Sequence, residues 1–282
     1  AADAERAAGS GAGLITLAAQ DEIGVRGSGT VTDREFATGS SVNVSTTGTG
    51  AIDLDGLGTL TLTDLDTANG AITATSGGAL TVTDVASGTN GNISLTTTSG
   101  DITGLATVNA GSGNVTLNSA GAIVDDGSAG TVITGGVLTA DAAGAITIDS
   151  TVASANISTS AAGNVDLDET DGITLTDLDT NDGSITVDAG GLITATDVVA
   201  AGGSGDSVTL TTTTGGAVAT LVTGADAVSI TANAGDITIG AVTATAGILG
   251  VTATAGSIND AADDNTADLT AGGLITLTAQ DE

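Results

Sequence analysis

The 282-residue chain contains no Cys, Pro, Met, Trp, Tyr, His or Lys, and a single Phe, Phe36. Without cysteine there are no disulfide staples and no thiolate metal sites. Large rings fill much of an ordinary globular core, so whatever this chain buries is narrow and aliphatic. Its apolar content is almost entirely Ala, Val, Ile and Leu, side chains that suit thin stacked layers of strand. Basic charge is nearly missing as well. The three arginines, Arg6, Arg26 and Arg34, lie within the first 34 positions against 34 acidic residues, giving a net charge of −31. Such a surface repels nucleic acid and anionic lipid and attracts cations. No apolar run approaches the length of a membrane span. The opening AADAERAAGS has neither the basic start nor the apolar stretch of a signal peptide, so an export signal, if there is one, is expected outside this segment.

What is present in abundance is Gly (44 residues) and β-branched residues, with a positive mean hydropathy of +0.35. Charge and glycine alone favour disorder; the hydropathy and a repeating apolar pattern oppose it. The pattern is a strand phrase closed by a small or polar turn, as in 71-AITATSGG, 92-NISLTTTSG, 114-NVTLNSAG, 184-SITVDAGG and 236-DITIG. Apolar and polar residues alternate within each phrase, the period of a half-buried strand. Ile93 and Leu95 are expected to point one way, Ser94 and Thr96 the other. The glycines supply the unusual dihedrals of corners.

Successive phrases begin about 20 residues apart, and many intervals hold a second phrase such as 59-TLTLTDLDT. One coil of two or three short strands per roughly 20 residues is the spacing of a solenoid; a four-stranded propeller blade needs about twice that. The expected fold is therefore all-β, a parallel β-helix (β-solenoid) forming one continuous segment over 1–282. The stretch 20–40, holding two of the arginines and Phe36, is expected to be an irregular coil or loop. Two longer repeats overlie the coils. The stretch from Leu60 to Val85 recurs from Ile173 to Val198, 113 positions later, and 14-LITLAAQDE recurs as 274-LITLTAQDE, 260 positions later. The second points to a tandem unit of 260 residues plus the start of the next, both ends being cuts through a longer array.

The coil phrases 13-GLITLAAQDEIG, 70-GAITATSGGALTVTDV and 272-GGLITLTAQDE resemble those of the filamentous-haemagglutinin class of large bacterial exoproteins and adhesins. The resemblance implies a right-handed parallel β-helix at, or released from, a Gram-negative cell surface. It also implies a shaft with adhesive modules elsewhere on it.

Catalysis is disfavoured by inventory. No His, Cys, Lys or Tyr can serve as base, nucleophile or Schiff-base former, and carboxylates acting on glycosides would lack basic and aromatic partners for the sugar. The Gly-rich turns contain no phosphate-binding pattern. The strongest constellation is acidic: 64-DLDTANG, 166-DLDETDG and 177-DLDTNDG. Each places two Asp at i and i+2 on one side of a strand, ahead of a polar turn. Calcium takes such oxygen ligands, which makes Asp64, Asp66, Asn69, Asp166, Asp168, Asp171, Asp177, Asp179 and Asp182 candidate ligands; a solvated acidic turn is the plainer reading. The Thr arrays 59-TLTLT and 208-VTLTTTT could bind ice if they formed a flat face, but breaks in the pattern near 100, 125 and 150 count against one continuous face. The expected role is a structural or adhesive shaft of a secreted bacterial fibre, extracellular or on the cell surface. Its expected partners are itself or adjacent repeats end to end, other cells or matrix components, and neither nucleic acid nor a membrane. The alternative is a calcium-stabilised, self-assembling filament subunit or a calcium-binding module.

Overall fold

A computed structural model describes residues 14–19, 35–47, 50–128, 130, 133–262 and 266–280. Most of the stretch expected to be irregular, 20–34, lies outside the described residues, as do the three arginines. Of the rest of that stretch, Glu35–Phe36 is a short strand and Ser40 opens the strand Ser40–Thr46. Among the described residues there is no helix; every element is a strand, and each described ladder is parallel. The chain is a parallel β-solenoid, divided into two compact units, 1–142 and 143–282.

Within the first unit each coil contributes strands to three ladders. The first ladder aligns Ser40, Leu60, Leu80, Ile102 and Ile123. The second aligns Val44, Leu65, Val85, Val108 and Ile133. The third aligns Ile52, Ile72, Ile93, Val115 and Leu138, in steps of 20, 21, 22 and 23 residues. The second unit repeats the scheme. Its first ladder runs Ile173, Ile193, Ala217, Ile237, Ile258; its second runs Leu178, Val198, Val222, Val242, Leu269. Its third runs Ile146, Val165, Ile185, Val208, Val228, Leu249, Ile275.

Alternation decides which residues are buried. In Ile93–Thr97 the residues Ile93, Leu95 and Thr97 face inward while Ser94 and Thr96 are half-buried on the outside, as the phrase predicts. Like side chains stack in columns because the register is conserved from coil to coil. Burying each Val, Leu or Ile contributes about 1.5–3 kcal/mol at most, and each coil gains this only against its neighbours. Phe36 also lies inside.

Corners are closed by buried hydroxyls. An inward Ser or Thr at the end of a strand donates to a backbone carbonyl three or four residues on: Thr46 to Gly50 (2.9 Å), Thr67 to Gly70 (2.6 Å), Thr97 to Gly100 (2.8 Å), Ser119 to Ala122 (2.9 Å), and likewise Thr180 to Gly183. Outside the corners, Asn and Asp side chains hook one coil to the next. The Oδ1 atoms of Asn69, Asn92 and Asn164 accept the amides of Asn90, Asn114 and Ser184, and those of Asp101 and Asp236 accept Ala122 and Ser257. Glycine is required where coils crowd. Gly88 has φ +69°, and a Cβ there would sit 1.9 Å from the Ala68 carbonyl oxygen.

The two LITL phrases occupy different strand classes. Leu14–Ala19 aligns with Ser41–Thr46, whereas Ile275–Ala279 aligns with Leu249–Ala253 in the third ladder.

Candidate acidic columns

Between the first and second ladders the chain bends through a one-residue bulge. In the strand Leu60–Thr67 the register steps from Val42↔Leu62 to Asn43↔Asp64, leaving Thr63 as the extra residue. In Ile173–Asp182 it steps from Ala155↔Leu175 to Asn156↔Asp177, leaving Thr176, whose Oγ1 donates to the Ala155 carbonyl at 2.8 Å. A bulge re-aims the side chains beside it, and here it sets Asp64 and Asp177 at the bend. Above each stands a second aspartate one coil on. Asp84 follows Asp64, next to the Leu65↔Val85 pair, and Asp197 follows Asp177, next to Leu178↔Val198. Below each stands an asparagine; the Asn43 Nδ2 donates to Asp64 Oδ2 at 2.9 Å.

The result is the same constellation twice: Asn43, Asp64, Asp84 with Asp66 alongside, and Asn156, Asp177, Asp197 with Asp179 alongside. Every member of the second lies 113 positions after its counterpart. The charges repel one another. Asp66 is raised above the usual carboxylate range by burial, by the Asp64 charge and hydrogen bond, and by Asp84; burial and Asp64 raise Asp84. Asp179 is pushed up to about 6 by burial, then by the charge and hydrogen bond of Asp177 and the charge of Asp197. One oxygen of Asp197, Oδ1, is shut off from solvent with no hydrogen-bond partner.

The third acidic phrase lies elsewhere. Asp166 and Asp168 project outward from the third ladder, where Asp149, Asp168 and Asp188 stack in register. Burial, then Asp188 and Asp149, raise Asp166. Asn69 is occupied as a hook to the next coil, Asp171 lies in the exposed corner after Glu169, and Asp182 is exposed at the end of its strand. The candidate ligands thus fall into separate places: Asp64 with Asp66, Asp177 with Asp179, and Asp166 with Asp168. Among the described residues no three carboxylates converge into a ready-made metal-holding group.

Sequence reasoning missed Asp84, Asp197, Asn43 and Asn156. The coil step of 20 from Asp64 to Asp84 and from Asp177 to Asp197, together with the 113-residue repeat, held the signal. It also missed Glu169, which is 4% exposed in the corner column between Ser150 and Ala189. The Ser150 hydroxyl donates to its Oε2 at 2.6 Å, the Val152 amide to Oε2 at 3.2 Å and the Asp171 amide to Oε1 at 3.4 Å. Burial nonetheless leaves its carboxyl raised, the hydrogen bonds from the Ser150 hydroxyl and the Val152 and Asp171 amides opposing the shift and one with the Asp171 side chain adding to it.

Fold and columns together define a class, the parallel β-solenoid repeat protein. Compared with protein-family models, curated proteins and solved structures, the chain matches none. The likeness to haemagglutinin-type exoproteins rests on the coil pattern alone.

Proposed function

We propose that the chain is a load-bearing shaft segment of a secreted bacterial fibre, outside the cell or on its surface, supporting adhesion to cells or matrix rather than catalysing a reaction. The observation that supports this reading is the run of in-register parallel ladders in each unit, closed at corners by buried hydroxyls and hooked coil to coil by Asn and Asp. Force along a stack is shared by every backbone hydrogen bond of a coil, so a coil yields as a unit. Pulling single molecules from both termini tests the reading. Stepwise rupture is expected, in increments of whole coils, each releasing about 70 Å of chain at roughly 3.3–3.6 Å per residue. Smooth extension at negligible force would overturn it.

A second reading is favoured by the duplicated acidic columns: calcium stabilises the solenoid, and copies or adjacent repeats then join end to end as a filament. Carboxylate and amide oxygens suit calcium, and a cation beside Asp64 and Asp66 would offset the repulsion that, after burial, raises Asp66 and Asp84. A rise in melting temperature on adding calcium, reversed by chelator and reduced in the double variant Asp64→Asn/Asp177→Asn, is the expected result. Identical melting with calcium and with chelator would remove this reading and leave the shaft reading standing.

A further inference from the structure

The outward side of the third ladder carries hydroxyls in two parallel rows. In the second unit, Thr209, Ser229, Gly250 and Thr276 align in one row and Thr211, Thr231, Thr252 and Thr278 in the other. In the first unit Thr73, Ser94, Thr116 and Thr139 align in one row, with Thr75 and Thr96 beside them. Of the pattern breaks counted against such a face, the one near 100 falls in the first ladder. Register shifts occur in the first two ladders, at Ile102/Leu105 for example, and in none of these third-ladder pairings.

Three properties separate these hydroxyls from the rest. None of those named bonds to the protein, whereas the inward hydroxyls at the corners are held by carbonyls. The block from Thr209 to Thr278 has no charge in either row, on a chain of net charge −31. The groups also form a net, repeating about every 4.8 Å between coils and about 6.7 Å along a strand. Threonine is stiff at χ1, so methyl and hydroxyl are presented in the same way coil after coil.

A net that repeats in two directions is matched by a ligand that does the same, not by a discrete small molecule. The four coils of this block carry no charge in either row, which disfavours an ionic ligand, although the same rows continue into Asp188, Asp168 and Asp166 in the preceding coils. Crystalline polysaccharide is disfavoured because stacking on sugar rings needs exposed aromatic side chains, and the single aromatic, Phe36, is buried. We propose that this Thr-rich face of the second unit binds the surface of ice. The proposal does not depend on the shaft reading and would give a shaft an adhesive target.

The test uses the whole chain in ice-affinity partitioning and thermal-hysteresis measurement, with crystalline cellulose and chitin pull-downs alongside. Wild type is expected to enter the ice fraction and show thermal hysteresis. Thr231→Tyr, a bulky outward group in the middle of the net, should lower both several-fold with an unchanged circular dichroism spectrum. Thr223→Tyr, outward on the second ladder, should change neither. Thr252→Tyr, one coil further on, replaces Thr231→Tyr if that variant does not fold. Exclusion of wild type from ice, binding to cellulose or chitin instead, or equal loss in both tyrosine variants would overturn the proposal. Mechanical rupture would be untouched by any of these outcomes.

Discussion

Glu169 occupies a column position that neighbouring coils fill with Ser150, Ala189 and Thr212. Other coils place there either an alanine, as at Ala189 and Ala232, or a hydroxyl which bonds to the corner, as Thr212 does to the Gly215 carbonyl. The longer glutamate serves the preceding corner instead, receiving the Ser150 hydroxyl and the Val152 amide. Because burial raises its folded pKa above the ordinary 4.5, the ionised form is disfavoured in the fold. Its stability cost is absent below the unfolded pKa and complete above the folded one. Glu169→Gln keeps an oxygen for the Val152 and Asp171 amides and removes the charge. The variant is expected to melt higher than wild type at neutral pH, with the difference vanishing as pH falls through the carboxylate range. Glu169→Leu leaves both amides without an acceptor and is expected to lose about 1–3 kcal/mol in urea unfolding. Little of this was legible beforehand, since an acidic residue in 166-DLDETDG reads as one more surface charge. Only the coil register shows that it falls on an inward column.

At the scale of the element, alternation was enough to identify the strands and their inward faces, because a period of two leaves no freedom once one face is buried. What letters alone did not determine was which ladder a strand joins. The DLD phrases at 64 and 177 lie beside a bulge at the bend between ladders, whereas the same letters at 166 lie flat on the third. The LITL phrases near the two ends likewise enter different ladders. A short alternating phrase fits any face, and its place follows from the lengths of the corners around it. Threonines at odd and even positions of one strand consequently have different duties. Thr97 donates to the Gly100 carbonyl and accepts the Ala120 amide of the next coil at 3.1 Å. Thr96, its neighbour, faces outward. Thr97→Val preserves shape but removes the acceptor of the Ala120 amide and a donor to the Gly100 carbonyl, and is expected to cost about 1 kcal/mol in urea unfolding. Thr96→Val should lie within about 0.5 kcal/mol of wild type. Equal losses at the two sites would show that corner hydroxyls do not pin the coils.

For the molecule as a whole, charge of one sign has a consequence opposite to that in most folded proteins. Carboxylates in ordinary domains are held below their usual range by basic partners, so acid removes stability. From residue 35 onward this chain has no basic side chain. The resolved shifts of Asp66, Asp84, Asp166, Asp179 and Glu169 are all upward. Each of these groups binds its proton more readily folded than unfolded, so stability grows as pH falls. For Asp179 the gain begins near its folded value of about 6 and is complete below the ordinary 3.8. Several of the groups are largely exposed, which limits the contribution of each through solvent screening; their sum sets the direction. Melting followed by circular dichroism is therefore expected to move to higher temperature from pH 7 to pH 4. Added monovalent salt should raise the neutral-pH value towards the acidic one, because the repulsion is screened over about 8–10 Å at moderate ionic strength. Asp179→Asn should flatten part of the pH response and stabilise by about 1 kcal/mol or less at pH 7. A melting temperature that fell on acidification would mean that attractive partners outweigh repulsion among the carboxylates. The acidic columns could then not be the sites of stored repulsion on which the calcium reading depends.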